Sequence, residues 1–327
     1  SGHILIEAYN IFREIYLEQG YQRSEIPELI LTKNLYGLEI CPRAAQLATF
    51  SLLMKGREDD RRILESSLKL NVMQLLDSTN FNVNNITSLK EFNETKLETK
   101  DLLSVKNLFS HSTTIGSLIK VPFLISEKLE ELTELADKTS PNFLAANDLI
   151  CLGSLVKQAK LLSSSYYAVV ANPPYMGTKG MNNYLKEYVK KNFPISKVDL
   201  FACFMERGFE LTNTCGYQAM ITMQSWMFLS SFEIMRKRLL EEKTIKTMAH
   251  FGPRAFDSIS GEVVQTTATI IKNKFISDYK PVFFRLLEGQ EKEKCELLIK
   301  GKNRFDNISH NEFKNLPENI IAYWLSN

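Results

Sequence analysis

Glycine and proline are scarce, 14 and 10 of 327 residues, which argues against long disordered linkers. Cysteine is also sparse. Cys41, Cys151, Cys203, Cys215 and Cys295 form no CxxC pair, and the four histidines are scattered. No metal is therefore expected. An odd number of irregularly spaced cysteines suits a reducing, cytoplasmic setting. No run approaches the roughly 20 apolar residues that a bilayer requires, and no signal-peptide pattern is visible, so no membrane partner is expected. Neither charge dominates: 40 Lys and Arg stand against 38 Asp and Glu, a net +2. Any nucleic-acid surface must then be a local patch. What remains, 44% hydrophobic and 24% charged, is the composition of an ordinary globular chain.

Hydrophobic spacing predicts an amphipathic helix over residues 4–20, a buried strand over 34–40, and a helix starting at Pro42, where a missing N–H does no harm. A further strand is expected over 70–76. Residues 78–160 read as a helical insertion with loops, including a helix over 126–137, too long for a simple crossover. Strand and helix then alternate: strands over 166–171, 217–222, 244–251 and 263–271, helices over 199–211 and 231–242. Such alternation implies a mostly parallel sheet covered on both faces. The charged tail from Glu288 reads as a connector.

The tetrapeptide Asn172-Pro173-Pro174-Tyr175 follows the apolar run Tyr166–Ala171, which reads as a buried strand. Two prolines cannot continue a sheet, so the Asn172 amide is expected at the carboxyl end of a strand, where open α/β sheets bind ligands. An amide oxygen, a rigid turn and an aromatic face suit a flat molecule with an exocyclic amino group. The Asn172 side-chain oxygen and the Pro173 carbonyl can accept both amine protons, localising a nitrogen lone pair otherwise delocalised into the ring. Tyr175 can stack on that ring, and a base inside a duplex must first be flipped out. Asn and Pro are also ordinary turn formers.

Glu39, at the end of the strand before Cys41-Pro42, could accept hydrogen bonds from two ribose hydroxyls; a solvated loop glutamate is the alternative. Ser1-Gly2-His3 runs straight into a helix, as a loop holding a cofactor's polar groups would, or as a cloning scar would. Basic residues follow the proline turn (Lys179, Lys186, Lys190, Lys191, Lys197), and Arg236-Lys237-Arg238 forms a second group. They suit phosphates or a solvated helix face equally.

Together these pieces resemble the amino-group (N6-adenine) DNA methyltransferases that use S-adenosylmethionine. Ser1-Gly2-His3 matches the end of that family's Asp-Pro-x-x-Gly-Ser-Gly loop, Gly37-Leu38-Glu39 its acidic strand end, and Asn172–Tyr175 its catalytic motif. Residues 35–48, 116–119, 170–177, 225–228 and 321–324 are similar to the adenine-specific methyltransferases of BREX phage-defence systems. The resemblance spans nearly the whole chain.

It implies an α/β fold: a Rossmann-like class I S-adenosylmethionine-dependent methyltransferase sheet with helices on both faces, lacking the first strand and carrying a helical insertion. The catalytic domain would cover 1–287, with the insertion at about 78–160. Residues 288–327 would connect to a target-recognition region that is absent. It implies S-adenosylmethionine held by Ser1, Gly2 and Glu39, with Asp77 the candidate for a third contact near the cofactor's adenine. Asn172, Pro173, Pro174 and Tyr175 would be catalytic. Phe256 would hold the flipped base from its other face, and Lys179 would contact substrate. The partners would be double-stranded DNA and other proteins of the defence system. The Asp-Pro start of the loop is missing, so this stretch alone is expected to be inactive.

Two rival readings remain open. The tetrapeptide also serves methylation of RNA bases and of protein glutamine amides, and the chain could instead be a non-catalytic binding or assembly module of a defence complex.

Overall fold

Local sequence signals fix most element boundaries in this computed structural model, which describes residues 2–256 and 264–325. The chain divides into two units, Ser1–Ser164 and Ser165–Asn327, treated separately below.

The first unit opens with helix α1 (His3–Glu18), whose N-cap Gly2 has φ 84° and no side-chain cap. A Cβ on Gly2 would stand 2.9 Å from Ala48 Cα, so both the left-handed backbone and the close approach require glycine. Strand β1 (Tyr36–Glu39) pairs in parallel with β2 (Asn71–Gln74). Between them, α2 (Pro42–Arg57) starts on a proline at its first position and buries Ala45, Ala48 and Leu52. Tyr9 and Leu52 are fully buried in the unit's core.

An ion cluster on a buried carboxylate side chain, with partly solvated arginines, braces α1. Asp59 takes Arg13 Nε at 2.8 Å and Arg23 Nε at 2.5 Å. Burial pushes its carboxyl up, but the two guanidiniums outweigh that and hold it below the usual range.

Residues 78–160 are helical, as expected. Their principal elements are α3 (Thr99–Leu108), α4 (Leu129–Ala136) and α5 (Phe143–Ser163), the last capped by the Asn142 side chain. Gln158 of α5, fully buried, binds both backbone groups of Leu76, accepting at 2.9 Å and donating at 3.0 Å. That bond pair joins the helical segment to the end of β2.

The second unit is built on a six-stranded sheet of order β3-β4-β6-β5-β7-β8. Its elements are β3 (Tyr166–Ala171), α6 (Asn183–Asn192), α7 (Leu200–Leu211), β4 (Thr212–Met223), α8 (Glu233–Glu242), β5 (Thr244–Gly252), β6 (Thr266–Lys272), β7 (Val282–Arg285), α9 (Glu291–Ile299), β8 (Arg304–Phe305) and α10 (His310–Lys314).

Three expectations need correction. First, the sheet is mixed rather than mostly parallel: β3–β4 and β5–β7 are parallel, whereas β6 runs antiparallel to both neighbours and β8 antiparallel to β7. No helix among the described residues separates β5 from β6, and parallel pairing normally needs such a crossover. Second, β3 is an edge strand rather than a buried one. Among the described residues it pairs only with β4, and Tyr167 is 83% exposed.

Third, residues 288–325 are part of the fold rather than a connector. Lys294, Phe313, Ile321 and Tyr323 are buried, and the Tyr323 ring stacks on Phe283 at 4.7 Å between centroids. The charged residues that make this tail read as solvated alternate with large apolar ones that fill the sheet's face.

Gly208 on α7 illustrates how tightly helix meets sheet. A Cβ there would stand 2.1 Å from Gln218 Nε2, and that buried amide donates to the Met205 carbonyl at 2.7 Å.

Candidate active site

In the second unit, β3 ends at Ala171, in register with Met220 of β4. The two prolines then turn the chain. Pro173 is buried, while Asn172 and Pro174 are exposed. The half-buried Tyr175 folds back over β4, where its hydroxyl lies 3.3 Å from the Ile221 carbonyl and 3.5 Å from Asn172 Oδ1. Burial pushes this phenol up to about 12, so it stays protonated and donates. Phe201 meets its ring edge-on at 6.3 Å. The turn therefore brings together the Asn172 amide, the Pro173 backbone and an oriented aromatic ring.

Asp199 supports this turn. It caps α7 through the Phe201 N–H and also accepts the Met176 N–H at 3.0 Å. The Leu200 N–H returns to the Met176 carbonyl at 3.0 Å. Burial lifts the Asp199 carboxyl above its usual range, against the backbone N–H groups that it accepts. An Asp directly before the apolar run Leu200-Phe201-Ala202 is an N-cap pattern, and it was the available signal for this support.

Lys179, Lys186, Lys190, Lys191 and Lys197 are all exposed on α6 and the loops beside it. The second basic group does not form a comparable surface. Arg236 is fully buried, donating to the carbonyls of Trp226, Leu229 and Glu318. Arg238 pairs with Glu242 at 3.0 Å. A guanidinium with carbonyl partners inside the fold is not available to phosphate.

Phe256 is half-buried and is the last described residue before 257–263. The turn leading to it is held by Lys294, whose Nζ donates to the Phe251 and Pro253 carbonyls at 2.5 Å each. Burial, with Arg254 nearby, pulls this ammonium below the usual lysine range.

In the first unit, Glu39 closes β1 and its Oε1 accepts the Cys41 N–H at 3.0 Å, leaving Oε2 for a second donor. Ile40 beside it is 47% exposed. Gly2 stands at the uncapped start of α1. Ser1 lies outside the described residues. The Asp77 carboxylate binds Thr113, taking its N–H at 2.9 Å and its hydroxyl at 2.8 Å. Each oxygen keeps a second lone pair. The Gly116–Leu118 turn that follows packs near Ile40, with a Cβ on Gly116 placed 3.5 Å from Ile40 Cγ2. Among the described residues there is no cluster of three or more metal-ligating side chains, and no helix is long and apolar enough to cross a membrane.

The chain is similar to known proteins in sequence and in fold. The chain is 46% identical to the adenine-specific methyltransferase BrxX of Escherichia coli O9:H4 (strain HS), across 99% of this chain and 29% of that protein. It is 36% identical to the adenine-specific methyltransferase PglX of Lacticaseibacillus casei (strain Zhang), across 100% of this chain and 28% of that protein. It thus spans under a third of the length of these curated relatives. The fold is similar to part of the ATP-dependent Type ISP restriction-modification enzyme LlaBIII, with TM-score 0.53 at 14% identity over 94% of this chain and 19% of that one. The model of the Eco57I restriction-modification methylases matches residues 33–256, from before β1 to beyond β5. The chain belongs to the Eco57I restriction-modification methylase family.

Proposed function

We propose that this protein transfers a methyl group from S-adenosylmethionine to N6 of an adenine flipped out of double-stranded DNA. One observation carries the reading: the Asn172 amide is exposed at the carboxyl end of β3, its oxygen beside an anchored aromatic ring. Both curated relatives are described as adenine-specific methyltransferases, and that substrate is taken over here as part of the proposal.

The first unit offers groups that fit the cofactor. Glu39 Oε2 can accept from ribose hydroxyls, and the exposed Ile40 can lie against an adenine ring. The first turn of α1, whose N-cap glycine brings no capping side chain, suits a carboxylate. Asp77 is a further candidate contact. When bound, the cofactor supplies a methyl group on a positively charged sulfonium.

The second unit works on the amine. Asn172 Oδ1 and the Pro173 carbonyl accept the two N6 protons and draw the nitrogen toward a tetrahedral, nucleophilic geometry. Tyr175 stacks on the base, a contact worth roughly 1–3 kcal/mol, and its tethered hydroxyl limits how the ring can tilt. Phe256 would close the other face. The exposed lysines after the turn, Lys179 among them, would bind phosphates beside the flipped base. The proposed setting is a phage-defence or restriction-modification system in the cytoplasm, with other proteins of that system as partners.

The test is incorporation of tritiated methyl by the full-length protein into separate DNA, RNA and protein fractions. The expected result is label in DNA alone, recovered as N6-methyladenine. Label in RNA or in protein glutamine would overturn the substrate assignment.

A further inference from the structure

Four side chains of the second unit form a directed relay of hydrogen bonds. His250 is 4% exposed and places Nδ1 2.9 Å from the Tyr323 hydroxyl and Nε2 2.6 Å from Gln224 Oε1. An amide oxygen only accepts, so Nε2 carries the proton and donates to Gln224. Nδ1 is then bare and accepts from Tyr323. The Gln224 amide passes the polarity on, donating from Nε2 to Gln265 Oε1, while its backbone N–H donates to the Gln265 carbonyl at 2.9 Å. The relay ends in the Gln265 NH2, a donor on a partly exposed residue.

Position gives this relay its meaning. Gln224 and Gln265 flank the last register pair of β4 and β6, Met223 with Thr266. They therefore stand at the carboxyl rim of β4, the strand on which Tyr175 is anchored at Ile221. The other end of the relay lies in the segment after the Pro317–Asn319 turn. The turn and the segment after it are tied twice more to the residues that follow β4: Arg236 donates to both the Glu318 and the Trp226 carbonyls, each at 2.9 Å, and the Ile321 N–H donates to the Met227 carbonyl at 2.9 Å. Apolar packing would need only phenylalanine at position 323, since the ring already stacks on Phe283. Burying a phenol, an imidazole and an amide is costly unless every bond is kept.

We infer that Gln265 contacts the target base and that Tyr323 and His250 are positioning residues, orienting its amide through Gln224. This rests on the adenine methyltransferase reading above. The NH2 so presented suits a bare ring nitrogen such as adenine N1 and opposes guanine, whose N1 bears hydrogen. Reading the pairing edge of a flipped base in this way is ordinary for enzymes that extrude their target.

The experiment is a cycle of enzyme and substrate changes on the full-length protein. The duplex carries adenine or 1-deazaadenine at the position mapped as methylated, which removes the N1 acceptor. Any effect of the analogue on base pairing is common to all variants and cancels in the ratio. Wild type is expected to lose about five- to tenfold in kcat/KM on the analogue, the value of one hydrogen bond. Gln265→Ala is expected to show no further loss on the analogue. Tyr323→Phe, which keeps the ring stack, should lie between the two, with KM for S-adenosylmethionine unchanged. If the enzyme and substrate losses simply multiply, or if Tyr323→Phe discriminates like wild type, the inference is wrong while the methyltransferase reading stands. Absence of any wild-type methylation of adenine would sink that reading, and this inference with it.

Discussion

The Tyr175 hydroxyl sits 3.3 Å from the Ile221 carbonyl, so the aromatic ring proposed to carry the base is fastened to the strand next to the one it follows. Turn and sheet rim therefore move together. Tyr175→Phe keeps the stacking face and loses the tether. The expected outcome is a kcat reduced about three- to tenfold, as for one lost orienting bond, with DNA affinity near wild type. Steady-state kinetics and a DNA-binding titration separate the two. A variant that loses affinity but not kcat would show that the hydroxyl serves binding alone.

Two buried histidines make stability depend on pH. Burial pulls both His250 and His310 down to about 4, well below the ordinary 6.5. Between these values the unfolded chain binds protons that the folded one refuses. Their contribution is complete above pH 6.5 and is lost as pH falls toward about 4. At about 1.4 kcal/mol per pKa unit, each contributes up to about 3 kcal/mol. Denaturant midpoints measured from neutral pH downward are expected to fall, and to fall less in His310→Gln. A midpoint flat with pH would contradict this.

Gly208 lies where a methyl group would meet the Gln218 amide at 2.1 Å. Gly208→Ala is expected to destabilise the protein by about 1–3 kcal/mol, the usual cost of overpacking, by displacing Gln218 from the Met205 carbonyl. Equilibrium unfolding measures it, and an unchanged midpoint would show that the helix can shift at no cost.

Asp59→Asn leaves Arg13 and Arg23 without their shared carboxylate. Because both arginines are partly solvated, the expected loss is about 1–3 kcal/mol, less than for a wholly buried pair. Unfolding followed in the first unit would register it. A loss confined to low salt would place the cluster among ordinary surface pairs.

Elements with local punctuation were legible in the sequence. Cys41-Pro42 separates β1 from α2, Asn172-Pro173 ends β3, and Asp199 starts α7. Each depends on its own few residues. What could not be read depends on distant partners. The direction of β6 is set with the strands on either side, and its one local mark is the short stretch from Gly252 to Thr266, with no helix among its described residues. Arg236 looked like a surface cation, yet its partners include Glu318, 82 residues away. Tyr323 and His250, 73 residues apart, give no joint signal, and the charged residues of the tail that carries Tyr323 make it read as a connector. The turn holding Asn172 was visible. The relay behind it was not, because an isolated His in a β-strand says nothing of what it bonds.

The central claim is that the Asn172 amide acts on the amine and not on the cofactor. The direct measurement compares Asn172→Ala with wild type in the full-length protein, by calorimetric S-adenosylmethionine binding and by sequencing-based detection of N6-methyladenine in DNA. The account predicts cofactor affinity within about twofold of wild type and adenine methylation reduced at least about a hundredfold. Methylation that persists at the wild-type rate would contradict it.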